Sequence, residues 1–266
     1  MNYPHHRRIV KSDGLDLAVE ELGSGPALIF AHGLTSSGAQ SIREVGALAD
    51  RYHIIAFDQR GHAGSTPVTD PRLYDVHRMA EDITAILNTL GVDRAIVCGE
   101  SMGAATSLRF ALDHPERVTA LLLCLPALSD EPNPARDTVK AIGDAIRKMG
   151  LSAFVDQNTR NDIANGAAPE QANAWADILR SHNEESLITA CNTVPDWIVY
   201  NSSEELQRLA MPVLLIAVDG DPVHPLALAK SLAVQIPHAK LNTFEQRNHY
   251  FDNPDMVGDL IAGFLI

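Results

Sequence analysis

Residues 95–105 read AIVCGESMGAA. Four apolar residues, Ala95 to Cys98, run without a break into Gly99-Glu100-Ser101-Met102-Gly103, and a helical pattern follows. An apolar run followed by Gly-x-Ser-x-Gly and a helix is where a serine can be mounted on a sharp strand-to-helix turn. The glycines have a steric reason, since a strained backbone at the serine brings strand and helix too close for flanking side chains. Such a turn lifts Ser101 Oγ above the sheet edge. It also aims the Met102 N–H, at the start of the helix, toward the place where an oxyanion would form. The pentapeptide alone is weak, because a serine near two glycines also suits a loop or a helix N-cap. The strand and helix on either side strengthen it.

Outward from this point, short apolar runs alternate with stretches of helical period, the pattern of parallel strands with crossover helices. Strands are expected over Leu15 to Glu21, Ala27 to Phe30, His53 to Phe57, Ala95 to Cys98, Ala120 to Cys124, Val213 to Ala217 and Leu241 to Phe244. Val76, Met79, Ala80, Ile83, Ile86, Leu87 and Leu90 keep helical spacing up to Gly91, a C-cap. Met256, Val257, Leu260, Ile261, Phe264 and Leu265 repeat the spacing at the end of the chain.

The rhythm breaks between Pro126 and Ala210, where strand signals vanish and helices are expected at about Ala135 to Met149, Pro169 to Arg180 and Glu184 to Thr193. An all-helical insertion is the simplest reading: a core of 1–125 and 211–266 with a helical cap at 126–210. Ligands bind outside the carboxyl ends of the strands in an open parallel sheet, so an insertion at this place would cover the serine.

Composition narrows the class of partner. The chain has 266 residues, 45% of them hydrophobic and 21% charged, with a formal charge of −13. A small-molecule substrate is expected, and neither nucleic acid nor an anionic membrane, both of which call for clustered Lys and Arg. No apolar stretch approaches the roughly 18 residues of a membrane span, and the start MNYPHHRR lacks an apolar signal core, so a cytoplasmic protein is the default. Cys98, Cys124 and Cys191 form no CxxC pair, and the first two lie in apolar runs as small core residues. His5 and His6 lack a carboxylate or thiol at ligand spacing and read as an exposed tail. No metal site is expected.

A serine hydroxyl needs a base, usually histidine, and the histidine needs a carboxylate to fix its tautomer and stabilise the imidazolium. The loop VDGDPVHP after the strand at Val213 offers Asp219 and Asp221, and EQRNHYFDNP after the strand at Leu241 offers His249. His224 stands so close to Asp221 that it is not expected to reach the serine from the same turn, and His238 precedes its strand at the wrong end of the sheet.

With these pieces in view, the chain resembles the α/β-hydrolase fold, in the compact esterase and lactonase form with a helical cap. The resemblance runs over nearly the whole length through PALIFAHG, AFDQRGHAGS, GESMG, HPERVTALLL, PVLLIAVDGDPVHP and NHYFDNPDMV. It implies an α/β fold: a mostly parallel central sheet flanked by helices, with the cap inserted. It implies Ser101 as nucleophile, Asp221 as acid (four residues before Pro225) and His249 as base. The Leu34 and Met102 amides would form the oxyanion hole, with no cofactor. His32 would support the oxyanion loop, and Asp58, Arg60 and Ser65 a turn. Departures from the family pattern are Ala104, Ala63, Val218 and Asn248, each at a position where glycine is common, and a His249-to-Pro254 spacing two residues shorter than the common form.

Glu100 is expected to form a salt bridge or point to solvent, since a carboxylate aimed at an oxyanion would raise the barrier. Phe154, Trp175, Trp197 and Tyr200 are the cap aromatics that could line a substrate pocket. The leading expectation is a serine hydrolase acting on a small, largely apolar carboxylic ester or lactone through an acyl-enzyme. Carbon–carbon bond hydrolysis, thioester cleavage and perhydrolysis use the same triad, and a slowly turning-over ligand sensor is the alternative from outside enzymology.

Overall fold

The computed structural model describes residues 5–245 and 254–265. The strands are β1 His5–Ser12, β2 Leu15–Leu22, β3 Ala27–Ala31, β4 His53–Phe57, β5 Ala95–Glu100, β6 Val118–Cys124, β7 Val213–Val218 and β8 Lys240–Phe244. They form one sheet in the order β1-β2-β4-β3-β5-β6-β7-β8. β2 is antiparallel to both β1 and β4, and every later pairing is parallel. The helices before the fourth crossover are α1 Gly38–Val45, α2 Val76–Thr89 and α3 Met102–Asp113. Among the described residues no helix is long and apolar enough to cross a membrane.

The central strands are apolar along almost their whole length, with Glu100 at the end of β5 the charged exception, because both of their faces are covered. Every residue of β3, β5 and β7 is buried, as parallel strands between two helical layers require. Ile29, Val97, Leu121 and Leu215 pack on one side with α2 and α3, and Leu28, Ile96, Leu122 and Leu214 on the other with Val257 and Ile261 of the last helix, Pro254–Phe264. In α2 the apolar stripe Val76, Met79, Ala80, Ile83, Ile86 and Leu87 is buried, and Asp75 caps its start by accepting from His77 N and Arg78 N.

β1 falls where a tail was expected. Its sequence HHRRIVKS carries the charges of an edge strand, which keep another chain from adding to the sheet. From His6 to Ser12 only the inward positions Val10 and Ser12 are buried, while Arg7, Arg8 and Lys11 pair with Glu20, Glu21 and Asp16 on β2.

Between β6 and β7 the chain contains helices and no strand: α4 Arg136–Met149, α5 Leu151–Ala164, α6 Pro169–Arg180, α7 Glu184–Thr193 and the short α8 Ser203–Leu206. Three of these match the expected spans within a residue. The additions are the short α8 and α5, whose buried residues are only Leu151 and Val155, so the sequence of α5 shows no apolar stripe. α9 Leu226–Gln235 follows the loop that carries Asp221. The helical segment is tied to the sheet by polar contacts: Val68 N donates to Ser186 Oγ at 2.8 Å, Trp197 Nε1 to Tyr74 O at 2.7 Å and Arg109 Nη1 to Val199 O at 2.8 Å.

The turn after β4 works as a scaffold. The Arg60 guanidinium, fully buried, donates from Nε and Nη2 to the two oxygens of Asp82 at 2.8 and 2.7 Å, and Asp58 accepts from Gly38 N at 2.8 Å and Gly64 N at 2.9 Å. Within this turn Ala63 sits at φ +40°, a conformation open to glycine and strained for an L side chain. The cost of having alanine here is therefore in the backbone. Ala63→Gly is expected to raise the unfolding free energy by about 0.5–1 kcal/mol, read by urea denaturation; a less stable variant contradicts this.

Candidate active site

Ser101 has φ +54° and ψ −112°, a strained backbone for a non-glycine residue. Its neighbours hold it there: Ser101 N donates to Cys124 O at 2.9 Å, and Ala105 N to Ser101 O at 3.2 Å. The need for both glycines is direct. A Cβ on Gly99 would stand 2.1 Å from Gly103 O, and one on Gly103 would stand 2.0 Å from Ala31 O. Ala104, where the family often has glycine, is accommodated as a buried core residue.

The register of β3 against β5 sets Ala31 opposite Gly99, so the loop after β3 emerges beside the turn that carries Ser101. In that loop Ser36 N donates to Gly33 O at 3.1 Å, closing a turn over Gly33–Ser36. His32 supports it. Its Nδ1–H donates to Gly33 O at 2.7 Å and its Nε2 accepts from Gln59 N at 2.9 Å, which sets the tautomer. Because the peptide is planar, holding Gly33 O also orients the Leu34 N–H on its other side. Met102 is the first residue of α3, so its amide has no acceptor within the helix. Both residues line the cavity over Ser101.

Asp221 lies in the loop after β7, where its Oδ1 accepts from Val223 N at 2.9 Å and His224 N at 3.1 Å. Burial pushes its carboxyl up, but the His224 side chain and these two amides outweigh burial and hold it well below the ordinary carboxylate range. Asp219 is exposed and its Oδ1 accepts from the neighbouring Gly220 N.

His224 does reach the serine. Its Nε2 stands 2.9 Å from Ser101 Oγ, within range for the hydroxyl to donate, because the turn at 221–224 folds the ring back over the elbow. Its Nδ1 lies 3.2 Å from Asp221 Oδ1 but off the line of a hydrogen bond, and it has no hydrogen-bond partner among the described residues. His249 lies outside the described residues.

Above Ser101 is a cavity of about 590 Å³ whose apolar wall includes Leu34, Met102, Leu128, Val139, Ile142 and Trp175. Asn158, Asp162 and Asn165, near the end of α5, and Gln171 of α6 make a polar wall, which is why α5 lacks a second apolar face. Of the four aromatics singled out, Trp175 lines the cavity. Trp197 is buried in the core with its indole N–H on Tyr74 O, Tyr200 is buried beside Asp130, and Phe154 packs against the cluster of Ile146, Val155 and Leu187. Glu100, expected in a salt bridge or solvent, is buried, lines the cavity, and has its Oε1 against Gly33. Burial, with Glu100 as a neighbouring charge, holds the Glu44 carboxyl well above its usual range.

The model of the alpha/beta hydrolase fold family matches residues 26–251. The chain belongs to the α/β-hydrolase fold family. This hydrolase is 27% identical over 232 residues to 3-oxoadipate enol-lactonase 2 of Acinetobacter baylyi, covering 83% of this chain and 80% of the relative. Among solved structures it resembles a hydrolase from Pseudomonas aeruginosa (TM-score 0.82, 24% identity, 97% of this chain and 98% of that one). It also resembles the enol-lactonase from Burkholderia xenovorans LB400 (TM-score 0.81, 19% identity, 97% and 99%). Both share its fold.

The hydrolase keeps His32, His62 and His182 buried together. Burial pushes His32 down to about 3 and lowers the other two as well. The unfolded chain binds a proton near 6.5 that folded His32 refuses until about pH 3, so stability from this residue is complete above 6.5 and falls with pH below it. For His32 alone the slope is about 1.4 kcal/mol per pH unit. The urea midpoint is expected to drop clearly between pH 7.5 and pH 5; an unchanged midpoint contradicts neutral burial.

Proposed function

We propose that the chain is a serine hydrolase that cleaves a small, largely apolar carboxylic ester or lactone by way of an acyl-enzyme. The observation that carries this reading is Ser101 in its strained turn, beneath a cavity whose wall includes Leu34 and Met102. Helices between 126 and 210 act as the cap, since α4, α5 and α6 supply much of that wall. The carboxamides of Asn158 and Asn165 on the cavity wall give a polar group on the acyl or alcohol part something to bond. The relatives named enol-lactonases agree with a lactone as one form of the substrate.

In this reading His249 takes the Ser101 proton as Oγ attacks the carbonyl, and the Leu34 and Met102 amides stabilise the oxyanion. The proton passes to the departing alkoxide, leaving an ester on Ser101. Water, deprotonated by the same histidine, then attacks that ester and releases the carboxylic acid and the free serine. Asp221 fixes the histidine's tautomer and stabilises the imidazolium.

A second reading assigns the base to His224, and the 2.9 Å contact with Ser101 Oγ favours it. His249 is preferred for two reasons. A base must be oriented by its acid, and the His224 Nδ1 is off line from an Asp221 oxygen already bonded to two amides. His249 also follows β8 along the chain and precedes the last helix, the sequence position that the resemblance gives to the base.

Turnover of 4-nitrophenyl acetate tests both points. Ser101→Ala is expected to lower kcat by 10³-fold or more, on the order of what losing a triad member costs, and parental turnover in that variant rejects the nucleophile. His249→Gln is expected to lose about as much, and His224→Gln about tenfold or less. The reverse order transfers the base to His224.

A further inference from the structure

Three buried histidines stand in a row beside the loop that bears the Leu34 amide. His62 lies 5.1 Å from His32 and 5.4 Å from His182 between ring centroids. His32 and His62 belong to the sheet domain, and His182 comes from the turn between α6 and α7, 146 residues along the chain from its contact. That contact is backbone: His182 Nε2 stands 3.0 Å from Ser36 O, and His62 Nε2 stands 2.9 Å from Leu34 O. Two carbonyls of the turn thus each face a histidine ring, one from the core, whose Nδ1 also faces Arg60 O at 2.9 Å, and one from the helical segment.

The position of the His182 proton follows from counting acceptors. Nδ1 faces Ile178 O at 2.9 Å and Nε2 faces Ser36 O at 3.0 Å, and a neutral imidazole has one N–H to give. Ile178 O already accepts from Ser181 Oγ at 2.6 Å and Ser181 N at 3.1 Å. Ser36 O receives no other hydrogen bond among the described residues. A buried carbonyl left without a donor costs about 1–3 kcal/mol, so the N–H belongs on Nε2.

We propose that His182 is a positioning residue for catalysis: its Nε2–H holds Ser36 O, and so fixes the Gly33–Ser36 turn that presents the Leu34 amide to the oxyanion. The inference rests on the serine-hydrolase reading above. Ser36 is the residue whose N–H closes that turn on Gly33 O, so displacing Ser36 loosens the peptide plane bearing the Leu34 N–H. His182 also stands two residues beyond α6, which contributes Ala172, Trp175 and Leu179 to the cavity. Substrate packed against α6 therefore has a short, rigid route to the oxyanion turn, and loss of His182 acts on kcat more than on KM.

Two substitutions separate this role from simple packing. In His182→Gln the side-chain amide nitrogen falls near Nε2 and keeps a donor for Ser36 O. In His182→Asn the amide nitrogen falls near Nδ1 and leaves Ser36 O without one. With 4-nitrophenyl acetate, His182→Asn is expected to lower kcat about tenfold with KM within about twofold, less than the roughly 10²–10³-fold cost of deleting an oxyanion donor outright. His182→Gln is expected to stay within about threefold of the parent kcat. Equal kcat in the two variants, or a larger loss in His182→Gln, overturns the proposal, and so does a loss expressed in KM alone. Should His182→Asn fail to fold, His182→Gln decides alone, since a kcat lowered tenfold despite a retained donor is incompatible with the role. Ser101→Ala, run alongside, isolates the two failures. Turnover that survives it rejects the hydrolase reading, whereas Ser101-dependent turnover with indistinguishable Gln and Asn variants rejects only the part played by His182.

Discussion

The close approach of α3 to the end of β3 is the constraint on which the rest of the site depends. Gly103 lies against the Ala31 carbonyl so tightly that no side chain fits between them, and this contact fixes where α3 begins. Once α3 starts there, the single residue between β5 and the helix must reverse the chain, and Ser101 is forced to φ +54°. A strain of about 1–3 kcal/mol is typical of such backbone. It persists because the Cys124 carbonyl, the sheet register and the first turn of α3 all specify the same geometry. The same contact brings the loop after β3 beside the serine, so one steric fact places both the proposed nucleophile and the proposed oxyanion amides.

Electrostatics around the site follow from burial. Asp221 keeps its charge because two backbone amides and a histidine compensate for its desolvation. His32 stays neutral because its burial outweighs the one hydrogen bond, to Gly33 O, that favours the charged form. Its neutral tautomer then does structural work, donating a hydrogen bond to Gly33 O and accepting one from Gln59 N. Glu44 and Glu100 are both buried, and burial, reinforced by the neighbouring Glu100 charge, favours a proton on Glu44.

Much of the fold was legible in the sequence because its signals are steric and apolar. The strands from β3 to β7 are runs of mostly buried residues, β2 alternates, the glycines at 99 and 103 mark a close approach, and α2, α4, α6 and α7 carry a helical period. β1 was hidden because an edge strand is written in charges, and α5 because a helix that faces a cavity has a polar inner side. At the site, Ser101 and Asp221 were legible from the loops that carry them. The reach of His224 was not, because spacing along a chain does not reveal how a four-residue turn folds back. Trp197 and Tyr200 looked like pocket aromatics and are packed in the core. The grip of His182 on Ser36 joins residues far apart in the chain by a side chain-to-backbone bond, and such bonds leave no periodic trace.

The central claim is that Ser101, and no other residue, becomes covalently modified during turnover. It is tested most directly by treating the folded protein with a fluorophosphonate ester, digesting it and locating the adduct by mass spectrometry. The account predicts one adduct per chain, on Ser101. An adduct on another residue with Ser101 unmodified, or no adduct in a protein that still turns over an ester, would contradict it.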